Sequence, residues 1–188
     1  MLKQKIVPGL ILLIFTALSL QSCAGWDPSE NTNQQGLHYS ADTISSVTIS
    51  KFLEVDPAIQ SFVDNAYAMA VLPKIAKAGF TVGGAYGKGR LYVNQILAGT
   101  ASLKQLSYGL TFGWQKYRQL VFFKDKQALD KAMISPAEFS GQLSYALASL
   151  GAAGTTDYRK GIAVFILPIS GAMAEVSIAG QQLDLELY

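Results

Sequence analysis

The chain has one cysteine, Cys23, and one histidine, His38. A lone thiol forms no internal disulfide. His38 sits in a polar stretch, Ala24 to Ser40, with no second metal-ligand candidate beside it. The carboxylates offer no close pair on a defined element: Asp64 near Tyr67, or Glu175 in an expected strand, would have to act alone. Acid–base work, nucleophilic catalysis and metal binding all need groups brought together. The residues therefore predict a non-catalytic chain with no metal and no cofactor. The remaining chemistry lies in the placement of charge and of glycine.

Residues 23–64 carry one base and six acids, residues 65–131 ten bases and two acids, and residues 132–188 two bases and five acids. No acidic side chain occurs from Asn65 to Lys124. Lys74, Lys77, Lys88, Arg90, Lys116 and Arg118 are the candidate anion-binding residues within this block, and Lys116 and Arg118 share one strand parity. Such a block can attract an anionic surface. The alternative is a set of solvated strand faces that happen to lack acids. Gly79, Gly83, Gly84, Gly87 and Gly89 cluster in the same block. They do not make a phosphate loop, because Gly89 rather than Ser or Thr follows Lys88, and they lack the order of a dinucleotide fingerprint. Their expected role is structural. Thr81, Gly83, Ala85, Gly87 and Gly89 fall on one strand face, and a helix or a neighbouring aromatic could lie close against it.

Cys23 acquires a role from what precedes it. Lys3 and Lys5, an apolar run from Ile6 to Leu20, and Ser22 form a charged, an apolar and a small-residue region in the order of a secretory signal peptide. Leu20-Gln-Ser-Cys23 resembles the lipobox of bacterial lipoproteins, in which the thiol is joined to diacylglycerol. The expected organisation is a signal peptide over 1–22, a lipidated tether over 23–41 and a domain over 42–188. Ala24, where an inner-membrane retention signal would carry Asp, points to the outer membrane of the cell envelope, facing the periplasm or the cell surface. Cleavage leaves 166 residues with 13 bases and 13 acids. That is enough for one domain with a sizeable core, and a net-neutral exported chain is a poor nucleic-acid binder.

The elements that must position these residues read as helices followed by strands. Asp42 is an expected N-cap, and Asp56-Pro57 is a cap followed by proline at the first helical position. Two short helices, about 43–54 and 57–68, follow from these signals. Phe80 to Val93 reads as a strand with a glycine-rich middle. Leu106 to Gly113 alternates, with Leu106, Tyr108, Leu110, Phe112 and Trp114 on one face. The alternation breaks over Gln115 to Arg118, which predicts a bulge or sheet corner, and resumes over Leu120 to Phe123. A helix is expected over Lys126 to Met133 and strands over 142–150, 162–167, 172–178 and 183–188. Pro168 suggests an edge or a bulge. The fold class is α+β: short N-terminal helices packed on a mostly antiparallel, strongly curved or barrel-like sheet.

Ala66 to Gly89, reading Ala-Tyr-Ala-Met-Ala-Val-Leu-Pro-Lys-Ile-Ala-Lys-Ala-Gly-Phe-Thr-Val-Gly-Gly-Ala-Tyr-Gly-Lys-Gly, is similar to the opening signature of the SYLF domain. The resemblance continues in Ser107-Tyr-Gly-Leu-Thr-Phe-Gly113, Leu120-Val-Phe-Phe123 and Ala128-Leu-Asp-Lys131, and spans roughly residues 42 to 185. It implies phospholipid binding without catalysis, with Lys74 and Lys77 inside the matching block and Lys88 and Arg90 flanking its glycines. The function expected is that of a lipid-anchored envelope protein binding phospholipid or another anionic amphiphile. The alternative is a structural module of the envelope that binds a protein partner.

Overall fold

The computed structural model describes residues 36–136, 140 and 157–188. Cys23 and the strand expected over 142–150 lie outside the described residues. Helix α1 (Thr43–Val55) starts where Asp42 caps it, the side chain accepting from the Ile44 N–H. Asp56 accepts from the Ala58 N–H and opens a 3-10 turn, Pro57–Ile59, that runs into α2 (Gln60–Asn65). The expected helix to residue 68 stops short, because the chain becomes extended at Ala66 and enters β1 (Ala68–Gly79). Five successive buried residues, Ala68 to Leu72, open that strand. A strand buried on both faces shows no alternation, so periodicity alone cannot detect it.

β2 (Val82–Val93), β3 (Ile96–Phe123) and β4 (Ile162–Leu187) complete an antiparallel sheet in the order β1-β2-β3-β4, and β1 also pairs with β3. Helix α3 (Lys126–Ile134), capped by Asp125, follows β3. β3 and β4 are longer than their expected pieces because each continues through a turn of direction. Ile96 lies beside Val93, Val93 beside Ala68, and Ala68 beside Phe123. Both ends of β3 therefore lie at one end of the sheet, with the β1–β2 hairpin between its limbs. β4 follows β3 along its whole length, so the sheet is six strands wide at that end. β3 changes direction between Tyr108, which pairs with β2, and Gly113, which pairs with β1, and β4 follows opposite it. Gly113 at that bend (φ 122°) and Gly171 beside the β4 register slip (φ 103°) adopt backbone that a side chain disfavours. Among the described residues no ladder joins the two limbs of β4, so the sheet stays open; the barrel expected as one form of it does not close.

Bulges decide which side chains share a face. The β1 register slips by one residue between Val71 and Lys74 against β2, and between Leu72 and Ile75 against β3. Pro73, which has no N–H for a ladder, sits at this slip. β4 slips between Tyr117–Pro168 and Lys116–Ser170, at the break expected over Gln115 to Arg118. One sheet face packs Leu72, Ile75, Leu91, Leu103, Val121, Phe123 and Leu183 with Leu129 and Ala132 of α3. The other packs Met69, Val71, Tyr92, Leu120, Phe122 and Phe165 under Ile49, Phe52, Phe62 and Val63 of α1 and α2. The Phe62, Phe122 and Phe165 rings lie 5.1–5.7 Å apart in tilted or edge-on contacts. Each such ring contributes roughly 1.5–3 kcal/mol through burial.

Residues 36–41, expected in the tether, belong to the fold. Leu37 and Tyr39 pack on the helix-side core, and the Leu97 N–H donates to the Leu37 carbonyl while the Gly36 N–H donates to the Leu97 carbonyl. The tight β2–β3 turn puts Asn94 and Gln95 at positive φ. His38 Nε2 donates to Gln95 Oε1 at 3.0 Å, and the Ser40 hydroxyl and N–H meet its Nδ1. The histidine thus braces a turn.

Candidate functional site

The six candidate bases divide by face. Lys74 lies directly opposite Lys88, and Lys116 lies opposite Ala76, which in turn faces Tyr86. These side chains, with Arg118 further along the same strand face as Lys116, share the face that α1 and α2 cover at its other end. Lys77 has the opposite parity and points to the other face, where its register neighbours are Ala85 and Gln115. Lys104, which sequence reasoning left out, stands opposite Tyr86 on the shared face and pairs with Asp184 at 2.9 Å. Its ammonium pKa is raised by that hydrogen bond and charge.

Arg90 is not on a surface position. It is 3% exposed and its Nη1 lies 2.6 Å from Asp42 Oδ2. Ser45 Oγ and Tyr92 Oη donate to the same carboxylate oxygen at 2.6 Å each. Burial, then the Asp42 carboxylate, pushes the Tyr92 phenol well above the ordinary tyrosine value. Arg90 therefore fastens the start of α1 to the sheet and cannot meet a surface.

The helices cover only half of their face. Beyond them, around the β1–β2 hairpin tip, stand Phe80, Val82, Leu106, Tyr108, Phe112 and Trp114, each more than half exposed. Val82 is the cross-strand partner of Tyr108, and Ala78 that of Trp114. The Phe80 and Phe112 rings stack edge-to-face at 5.9 Å, and Lys116 Nζ sits 5.5 Å over the Trp114 ring. In the alternation over Leu106 to Gly113, Leu106, Tyr108 and Phe112 face outward, while Ser107 on the small-residue row is buried. Alternation identifies two faces without saying which one the core occupies. The available signal was an aromatic-rich row lying inside the acid-free segment.

The glycine face is structural in geometry. A Cβ on Gly87 would stand 2.5 Å from Ile75 Cγ1 and 2.9 Å from the Lys74 carbonyl oxygen. One on Gly89 would run into the Val71 carbonyl. The close neighbour is the bulged backbone of β1, the backbone approach that glycines on one strand face allow, rather than a helix or an aromatic ring. Gly84 lies on the outer face with room for a methyl group, and Gly79 pairs with Gly83 and Gly113 where the hairpin turns. At the opposite end of the sheet, Asp64, Asn94, Lys124, Asp125 and Lys126 line an open cleft of about 440 Å³. Among the described residues no three His, Cys, Asp or Glu side chains are grouped to hold a metal, and no helix is long and apolar enough to cross a membrane.

No family model, no curated protein and no solved structure matches the chain.

Proposed function

We propose that the chain is a lipid-anchored protein of the cell envelope whose SYLF-like domain binds phospholipid or another anionic amphiphile without catalysing a reaction. The observation that carries this reading is the gathering of Lys74, Lys88, Lys116 and Arg118 on one sheet face, in a segment free of acids. Four bases near an anionic surface are worth roughly 4 kcal/mol. An acyl chain on Cys23 supplements this by holding the domain close to the membrane. A strongly curved sheet is part of the proposal. Gln119 Nε2 bonds Gln181 Oε1 at 3.1 Å, although their limbs are four strands apart, about 19 Å in a flat sheet.

The test is sedimentation of the chain from residue 23 onward, carrying Cys23→Ser, with vesicles of phosphatidylglycerol or of phosphatidylcholine. Binding to the anionic vesicles that weakens with salt, and is lost on reversing Lys74, Lys88 and Lys116 to Glu, is the expected result. Arg90 is excluded from the reversal because it is buried. Absence of binding to every vesicle turns the assignment to an envelope module with a protein partner. Acylation is checked separately by mass spectrometry of the native N-terminus.

A further inference from the structure

Building on the phospholipid reading, we infer that the β1–β2 hairpin tip and the adjoining bend of β3 insert into the interfacial layer of a phospholipid bilayer, with the lysines behind them at the level of the phosphates. Phe80, Val82, Leu106, Tyr108, Phe112 and Trp114 form one uncovered apolar surface, joined by cross-strand pairing and ring contact. Single exposed apolar residues are ordinary, whereas an adjoining group of this kind marks an interaction surface. Tyr108 and Trp114 have an apolar body and a polar edge and so belong where water meets lipid, and Phe80, Leu106 and Phe112 supply the apolar area that an interfacial element buries.

The vertical order of residues fits a bilayer. Counting back along β2 from Val82 to Tyr86 covers four residues, about 13 Å. At that level Lys104 and Lys116 flank Tyr86 and its partner Ala76. Two residues further back, about 7 Å, Lys74 faces Lys88. An interfacial element sinks roughly 5–10 Å into the headgroup and acyl boundary. Insertion of the tip to that depth brings the first pair of lysines, whose flexible stems reach forward, into the headgroup region. Charge complementarity also selects this occupant over a second copy of the chain, since tip-to-tip docking would set one lysine rim against another.

The test uses the chain from residue 23 with Cys23→Ser and Trp26→Phe, which leaves Trp114 as the single reporter. On vesicles containing phosphatidylglycerol its emission should shift to the blue. Lipids labelled near the headgroup should quench it more strongly than lipids labelled deep in the acyl chains. Exchanging Phe80, Tyr108 and Phe112 together for Ser should weaken vesicle partition by about a hundredfold, with an unchanged thermal midpoint because all three are exposed. Binding with water-like Trp114 emission overturns the insertion while leaving the phospholipid reading intact. A tip variant that binds as tightly as the parent does the same. A lipid-free dimer that the Ser substitutions dissociate overturns it in favour of a second copy. Failure of the parent to bind any vesicle removes both readings together.

Discussion

Arg90 shows how a residue's meaning depends on what folds over it. In the chain it is one of ten bases in a block, yet its acidic partner lies nearly fifty residues upstream at the cap of α1. Caps are local, and those of Asp42 and Asp56 were legible; each accepts from the helix it precedes, as does Asp125, which sequence reasoning passed over. A pair joining helix to strand has no local signature. Arg90→Met leaves the buried Asp42 carboxylate with the Ser45 and Tyr92 hydroxyls but without its countercharge and should lower stability by about 3 kcal/mol in urea unfolding. Adding Asp42→Asn, which keeps a capping oxygen, should restore part of that loss; if it deepens the loss additively, the two residues are not coupled. The glycines separate in the same way. Gly87→Val drives a branched side chain into Ile75 and the Lys74 carbonyl and should cost about 2–3 kcal/mol. Gly84→Ala, on the open face, should stay within about 0.5 kcal/mol of the parent. Equal midpoints for the two variants would contradict the packing described for β1 and β2.

At the scale of elements, two prolines and two glycines shape the sheet. Pro73 and Pro168 sit at register slips, each of which exchanges the faces of every residue beyond it. The β1 slip puts Lys74, Ala76 and Ala78, rather than Ile75, on the outer face. The break near Gln115 was legible because alternation fails there. The continuity of β3 from Ile96 and of β4 through Pro168 was not, since a bent strand reads as several short ones. β1 was hidden for a different reason, its burial on both faces. The course of β4 beside its slip depends on Gly171, whose Cβ would collide with the Trp114 carbonyl and approach Gln115 Cα to 2.8 Å at φ 103°. Gly171→Ala should therefore destabilise by about 2 kcal/mol or more, detectable as a lowered thermal midpoint. An unchanged midpoint would mean that β4 relaxes beside its slip without needing glycine there.

The whole molecule has two ends of different character. Asp42, Glu54, Asp56 and Asp64 lie in or beside α1 and α2 near one end of the sheet, whereas Lys74, Lys88 and Lys116 lie towards the hairpin tip, so the chain carries a charge polarity that its small net charge conceals. The proposed anchor joins the acidic end: Leu37 pairs with Leu97, next to the β2–β3 turn, far from the hairpin tip. For the tip to touch the bilayer that holds Cys23, residues 23–36 must reach past the sheet. β2 measures about 36 Å, whereas thirteen residues span at most about 43–47 Å and average about 20 Å when flexible. The tether is long enough, but only when nearly extended. Deleting Pro28 to Asn33 leaves about 25 Å of reach, too little for an upright domain. In vesicles carrying the acylated protein with Trp26→Phe, this deletion should abolish quenching of Trp114 by headgroup-labelled lipid while leaving the anchor in place. Inserting six Gly and Ser residues should instead strengthen the quenching, because less chain stretching opposes contact. Quenching that persists in the shortened protein at high dilution, where vesicles do not meet, would mean that the domain lies on its side and that tether length does not limit its contact with the membrane.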